Sequence, residues 1–207
     1  MSFISQQTVT VGPCSLNCLQ ARNGTRKSII LLHGASFSAA TWQELGTLDH
    51  LARQGFDVHA LDMPGFGESP ECRASKVDLL AGYIQAHDLD RPVFVGPSRG
   101  GRYSQEFVFK RPDMVGGLVL IGSVGIEENR DRFRAVDIPC LLVWGDKDTV
   151  SPRRNAEILH QELTDSRLVI VEDASHPCYL NQPDTWHREL LSFLDAHWPQ
   201  PEHSSVR

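Results

Sequence analysis

The chain has 207 residues, of which 41% are hydrophobic and 22% are charged, and its formal net charge is −6 at neutral pH. This composition excludes a disordered or fibrous class, and the length suits one domain with a buried core. Phosphate binding depends on clustered Lys and Arg, so the acidic balance argues against nucleic acid as a partner. We expect a single domain over 1–207, with a loose tail after about residue 199.

The apolar runs, the N-terminus and the cysteines indicate in which cellular compartment the protein is expected. The longest apolar runs are far shorter than the roughly 18 to 20 residues of a membrane span, so no membrane partner is expected. The N-terminus lacks the charged and apolar regions of a signal peptide, which predicts a cytoplasmic protein. An odd number of scattered cysteines predicts free thiols rather than a disulfide framework. The five are Cys14, Cys18, Cys72, Cys140 and Cys178.

Short apolar runs rich in β-branched residues predict strands that are buried on both faces of a parallel sheet. They span 29–32, 93–95, 118–121 and 141–144. Two strands near the N-terminus, around 7–11 and 16–21, are expected to pair antiparallel at one edge, and two more cover 56–61 and 168–171. Segments of helical periodicity lie between the strands, at 41–54, 77–87, 103–110, 155–163 and 185–196. The alternation predicts an α/β fold, with helices on both faces of a mostly parallel sheet of about eight strands.

The run Gly96-Pro97-Ser98-Arg99-Gly100 follows one predicted strand and precedes a predicted helix. The Gly-x-Ser-x-Gly pattern alone is common in flexible loops. Between a buried strand and a helix, however, it is typical of the strained turn that exposes a nucleophilic serine at the top of a sheet. We therefore interpret Ser98 as a catalytic nucleophile.

A serine hydroxyl needs a base, and the base needs a carboxylate to orient it. Two acids, Asp146 and Asp148, follow the predicted strand 141–144 at the sheet edge where ligands bind in open α/β sheets. We favour Asp148, because Asp146 directly follows the strand and suits a turn-holding role; capping of the next helix by both acids is the alternative. His176 is the candidate base, because it alone lies in the loop between the last strand and the last helix.

The run His33-Gly34-Ala35-Ser36 follows the strand 29–32, where a loop can aim a backbone N–H at the nucleophile. We predict an oxyanion hole made by the backbone N–H groups of Ala35 and Arg99. The Arg99 side chain either receives a substrate carboxylate or pairs with a nearby acid. His33 is interpreted as a loop-organising residue. Further candidate substrate contacts are Ser36 and Trp42.

The order Ser98, Asp148, His176, together with His33-Gly34 and the run 62–69, resembles the α/β-hydrolase superfamily. The resemblance spans nearly the whole chain. Several stretches are similar to the α/β-hydrolase-domain-14 group in particular. They are Phe37-Ser38, Thr41-Trp42, 45–48 and 176–180, followed by Pro183 and Trp186-His187.

This resemblance implies a small hydrolase without a cap domain, and the short connection between strands 118–121 and 141–144 agrees with that. It implies cleavage of small acyl esters through an acyl-enzyme intermediate, in the manner of a carboxylesterase. One alternative is an acyl transferase or deacetylase that acts on acyl-lysine with coenzyme A as acceptor, and another is a non-catalytic protein-binding member. The charged stretch 127–134 is expected to be a solvated loop or a rim that selects polar substrates.

No cofactor is expected, and metal hydrolysis has little support because the sequence holds neither His-Glu-x-x-His nor Cys-x-x-Cys. The expected partner is a small-molecule acyl substrate. The acyl chain, the leaving group and the oligomeric state stay open at this level, because a fold does not specify them.

Overall fold

The computed structural model describes residues 4–24 and 26–200, and an eight-stranded sheet runs through it in the order β1-β2-β4-β3-β5-β6-β7-β8. Strands β3 to β8 are parallel to one another, whereas β2 pairs antiparallel with β4 and β1 pairs antiparallel with β2. The strands are Ile4–Val11 (β1), Cys14–Arg22 (β2), Ser28–Leu31 (β3), Asp57–Leu61 (β4), Val93–Pro97 (β5), Gly117–Ile121 (β6), Cys140–Gly145 (β7) and Ser166–Val171 (β8). The predicted sheet is confirmed, including its antiparallel edge.

Helices connect the parallel strands, and within the described residues none has the length and hydropathy needed to cross a membrane. They are Ala39–Glu44 (α1), Thr47–Arg53 (α2), Lys76–Ala86 (α3), Arg99–Lys110 (α4), Arg153–Glu162 (α5), Cys178–Asn181 (α6) and Pro183–His197 (α7). The prediction of one helix over 41–54 is wrong, because the chain breaks at Gly46, whose φ of 79° lies in the left-handed region. Residues 201–207 of the predicted loose tail lie outside the described residues.

Alternation along the strands divides the core into two layers. Ile30 and Leu32 point to the face covered by α3, α4 and α5. Ile29 and Leu31 point to the opposite face, covered by α1, α2, α6 and α7. Because both faces are covered, the central strands are apolar throughout, and the parallel strands present their C-terminal ends at one common edge.

The connection between β6 and β7 is short and contains a 3₁₀ segment, Glu127–Ala135, rather than a cap domain. Phe133 of this segment is fully buried. Arg130 and Arg134 both pair with the Glu162 carboxylate on α5, at 2.6 and 2.5 Å. The charged stretch is therefore an anchored element, and these two arginines hold it in place.

The prediction that all five cysteines are free thiols is wrong for two of them, since Cys14 and Cys72 form a disulfide. In the antiparallel pairing of β2 with β4, Cys18 lies opposite Leu61 at the end of β4. Cys14 therefore extends past that end and meets the segment that follows β4, with 5.7 Å between the two Cα atoms of the disulfide. The separation of 58 residues concealed this pairing. Cys18, Cys140 and Cys178 are free and buried.

Candidate active site

Ser98 forms the sharp turn between β5 and α4. Its φ of 50° and ψ of −113° lie outside the regions that L-residues ordinarily occupy, so the turn is strained. Its backbone N–H donates to the Ile121 carbonyl at 2.9 Å, which ties the turn to the end of β6. A Cβ on Gly96 would lie 2.5 Å from the Gly100 carbonyl carbon, so the flanking glycines allow β5 and α4 to approach this closely.

Asp148 and His176 are brought together by the loops that follow β7 and β8. The carboxylate Oδ2 of Asp148 accepts a hydrogen bond from Nδ1 of His176 at 2.8 Å. Its Oδ1 accepts from the backbone N–H groups of Val150 and Ser151 at 2.9 and 2.8 Å. The side chain of Asp148 is completely buried, whereas that of His176 is 20% exposed. The imidazole is therefore oriented from its protected side and open on the other.

Asp146, the alternative acid, has a different partner. Its Oδ1 accepts a hydrogen bond from the backbone N–H of Ala174 at 3.1 Å. Lys147 donates its N–H in turn to the Ala174 carbonyl at 3.0 Å. These contacts join the loop after β7 to the loop that carries His176, so Asp146 positions the loop rather than the imidazole.

Gly122 lies where the nucleophile turn and the Asp148–His176 pair meet. The carbonyl of Ile121, the residue before Gly122, accepts the hydrogen bond from the Ser98 N–H. A Cβ added to Gly122 would lie 2.9 Å from Oδ2 of Asp148 and 3.1 Å from Nδ1 of His176. All three predicted catalytic residues thus surround the end of β6. Among the residues that the structure describes, no hydrogen bond joins the Ser98 hydroxyl to His176. Sequence reasoning missed Gly122; the apolar strand ending in Gly122-Ser123 was the available signal.

The backbone N–H groups predicted to form an oxyanion hole are both free to donate. Ala35 is exposed in the turn that is closed by the hydrogen bond from the Phe37 N–H to the Gly34 carbonyl, at 3.2 Å. Arg99 is the first residue of α4, where an N–H has no acceptor within the helix. Neither N–H has another acceptor in the described part of the chain. The partial positive charge of a helix N-terminus also lies here.

His33 holds the loop after β3 against the loop after β4. Its Nε2 accepts from the Met63 N–H at 3.1 Å, and its Nδ1 donates to the Gly34 carbonyl at 2.8 Å. Burial lowers the pKa of His33, which favours the neutral ring that this arrangement needs. The structure thus gives His33 the predicted loop-organising contacts.

Asp62, which sequence reasoning did not single out, anchors both loops. Its Oδ1 accepts from the Ala39 N–H at 2.6 Å, and its Oδ2 accepts from Asn17 Nδ2 and the Glu68 N–H at 2.8 and 2.9 Å. The available signal was an acid directly after a buried strand and before a glycine-rich run. By holding the N-terminus of α1, Asp62 indirectly positions Ala35.

A surface groove of about 460 Å³ runs between these two loops and is lined by Ala35, Ser36 and Phe66, among others. The predicted substrate contact at Ser36 therefore lies on an accessible wall. The same prediction for Trp42 is corrected, because this residue is only 1% exposed and its Nε1 donates to the Leu32 carbonyl at 3.1 Å. Trp42 packs in the core beneath the groove, against Tyr179 and Trp186.

Arg99 is exposed, and its guanidinium carbon lies 5.8 Å from the centre of the Phe66 ring. The ion pair with a nearby acid, one of the two roles considered for the Arg99 side chain, does not form with any described residue. Cys178 lies close to His176, but burial raises the pKa of its thiol to about 12, so it stays protonated and is no competing nucleophile. The described residues contain no group of three or more His, Cys, Asp or Glu side chains arranged to hold a metal ion.

Comparison with known proteins identifies the family. The family model described as alpha/beta hydrolase fold matches residues 27–132, and one described as TAP-like protein matches 123–204. The candidate protein-lysine deacylase ABHD14B of Rattus norvegicus is 36% identical over 204 residues, covering 92% of this chain and 96% of its own. Protein ABHD14A of Danio rerio is 35% identical over 175 residues, covering 82% of this chain and 64% of its own.

Among solved structures, a CIB-like hydrolase from Thermoplasma acidophilum superposes with a TM-score of 0.89 at 27% identity. The match covers 95% of this chain and 100% of that one. The fold, the family models and the ABHD14B relative, which is matched over 96% of its own length, therefore agree. The chain belongs to the α/β-hydrolase superfamily and, within it, to the α/β-hydrolase-domain-14 group.

Proposed function

We propose that this hydrolase cleaves small acyl esters through an acyl-enzyme on Ser98. The observation that carries the proposal is the Asp148–His176 hydrogen bond of 2.8 Å, placed against Gly122 beside the nucleophile turn. A buried carboxylate that orients an imidazole beside a strained serine is the arrangement that general-base activation of a hydroxyl requires.

In this mechanism Nε2 of His176 removes the proton of Ser98 Oγ as the oxygen attacks the substrate carbonyl. His176 then gives that proton to the departing alcohol, and a water activated by the same imidazole releases the acid. Asp148 stabilises the imidazolium that forms. The hydrogen bond between Ser98 Oγ and Nε2 of His176 is expected to form on substrate binding, because catalytic hydrogen bonds are often completed only in the complex.

The N–H groups of Ala35 and Arg99 would stabilise the oxyanion of each tetrahedral intermediate. They come from a turn and a helix N-terminus that the contacts of His33 and Asp62 hold in place. Such preorganised donors are typically worth about 3 to 4 kcal/mol each in the transition state.

Removal of an acyl group from lysine is the second candidate function, because the relative ABHD14B, matched over 96% of its own length, is named a candidate protein-lysine deacylase. It uses the same acyl-enzyme, with an amine as leaving group and water or coenzyme A as acceptor. Incubating wild-type protein with an acetyl-lysine peptide, with and without coenzyme A, distinguishes the candidates by mass spectrometry of the products. Deacetylation as fast as the best ester hydrolysis would favour this second candidate.

The main test is hydrolysis of p-nitrophenyl esters from acetate to octanoate by the wild type and by Ser98→Ala. We expect Ser98→Ala to lose about 10⁴-fold or more in kcat and to lose covalent labelling by a fluorophosphonate probe. The ester series reports the acyl length that the groove prefers. Turnover near the wild-type rate in Ser98→Ala would refute the assignment, and an unlabelled wild-type Ser98 would favour a non-catalytic binding protein.

A further inference from the structure

Arg99 is a cation beside the nucleophile that has no counter-ion among the residues described by the structure. Arg102, on the same helix, shows the usual alternative, because its guanidinium pairs with Glu106 at 3.2 Å and with Glu128 at 3.1 Å. Arg99 has no such partner in the described ranges and rests near the face of Phe66, 5.8 Å from the ring centre. In a chain of net charge −6, a free guanidinium at the site is a local anion-binding group rather than part of a basic surface.

The strand order indicates which part of a substrate this cation would meet. Phe66 follows β4, which lies on one side of β5, whereas His176 follows β8 on the other side. The leaving group must lie near His176, because that imidazole protonates it. The acyl group is then directed toward the β4 side, where the groove and the guanidinium lie.

We propose that Arg99 selects acyl groups that carry a terminal carboxylate, so that half-esters of dicarboxylic acids are preferred over neutral esters. The inference rests on the proposed function and adds the substrate class. A guanidinium matches a carboxylate with two parallel hydrogen bonds, which gives this recognition both strength and directionality.

The second carboxylate takes no part in the bond changes. Ser98 Oγ forms a bond to the ester carbonyl carbon, the bond from that carbon to the alcohol oxygen breaks, and the alcohol leaves with the proton from His176. Water then cleaves the acyl-enzyme, so one half-ester and one water give one dicarboxylic acid and one alcohol. Arg99 binds the unreacted end throughout.

The test compares monomethyl glutarate with methyl pentanoate, which has the same length but no charge, by titration of released acid. The readout is the ratio of the two kcat/KM values, in which any effect on the shared oxyanion N–H cancels. We expect wild type to prefer the half-ester and Arg99→Gln to lower the ratio about tenfold or more, the size expected for a charge-assisted hydrogen bond. Arg102→Gln is the matched control and should keep the wild-type ratio.

Added salt should reduce the wild-type preference, because the site is exposed and screening is effective there. An unchanged ratio in Arg99→Gln, or no preference in the wild type, would overturn the proposal. If wild type hydrolyses neither these two esters nor any of the p-nitrophenyl esters, the proposed function fails and binding decides the role of Arg99. In that case, ligand-observed NMR measures the binding of monomethyl glutarate to Ser98→Ala and to Ser98→Ala/Arg99→Gln. Weaker binding to the double variant supports the inference, and equal binding contradicts it.

Discussion

Asp148 and His176 are joined by a 2.8 Å hydrogen bond between Oδ2 and Nδ1, while the other oxygen of the same carboxylate binds two backbone N–H groups. Both oxygens of the buried acid are therefore engaged, and it cannot rotate without breaking these contacts. An imidazole held in this way keeps its proton on Nδ1 and presents Nε2 as an acceptor.

Replacing Asp148 by Asn should lower kcat about 10⁴-fold with little change in fold. The amide oxygen can still accept from the N–H groups of Val150 and Ser151, which leaves the amide NH₂ facing His176 and stabilises the wrong tautomer. The measurement is steady-state ester hydrolysis, with thermal unfolding as the check on folding.

Asp146→Asn is the matched control for that substitution. Its amide oxygen can still accept from the Ala174 N–H, so we expect activity within a few-fold of wild type. If Asp146→Asn lost activity and Asp148→Asn did not, Asp146 would be the orienting acid.

Gly122→Ala should reduce activity through direct contact with the catalytic pair. The added Cβ would lie 2.9 Å from Oδ2 of Asp148, at a φ of 49°. Gly12→Ala is a control of similar backbone cost, because Gly12 has a φ of 56° and nothing within 4 Å of the added Cβ. Urea unfolding should show a loss of about 1 kcal/mol in Gly12→Ala, from the left-handed backbone alone, and a larger loss in Gly122→Ala, where the added Cβ also displaces the catalytic pair. Only Gly122→Ala should lose kcat, and equal kcat values in both would contradict the assigned role of Gly122.

The Cys14–Cys72 disulfide should stabilise the fold by about 2 to 4 kcal/mol, because it closes a long loop in the unfolded chain. The suitable variant is Cys72→Ser, since Cys72 is half-buried whereas Cys14 is 2% exposed. Urea unfolding should show a lower midpoint in Cys72→Ser, and dithiothreitol should lower the midpoint of the wild type only. A wild-type midpoint insensitive to reductant would show that the bond does not contribute.

His187 should make stability fall as the pH drops below neutral. Burial is the main cause that lowers the pKa of His187 to about 4. The second cause is the electrostatic interaction with His50, whose ring stacks on that of His187 with 4.8 Å between the ring centres. An unfolded histidine titrates near 6.5, so between about pH 6.5 and 4 the unfolded state binds more protons and the folded state loses stability.

His187→Gln should therefore lose less unfolding free energy between pH 7 and pH 5 than the wild type. The remaining loss is expected to include His33 and His87, whose pKa values are also lowered by burial. Urea titrations at the two pH values measure the difference. An identical pH slope in both proteins would exclude His187 as a contributor.

Much of this architecture could be predicted from local pattern. Apolar runs bounded by turn residues located the parallel strands, because a strand buried on both faces must be apolar throughout. The serine between glycines was recognisable because the strained turn requires those residues in the chain itself. The break at Gly46 was not recognised, because the apolar spacing continues across it while the backbone changes direction.

The choice between Asp146 and Asp148 shows what the sequence alone left open. Two acids on one short loop have the same neighbours in the chain, and only the packing of β7 against β8 decides which carboxylate reaches His176. The Cys14–Cys72 pair was likewise decided by the fold, as was the lack of an acidic partner for Arg99 within the described part of the chain. The sequence by itself determined the strands, most of the helices and the nucleophile turn, because these depend on residues close along the chain. Partners that are distant along the chain were decided by tertiary structure, because strand order and pairing register set which of them meet.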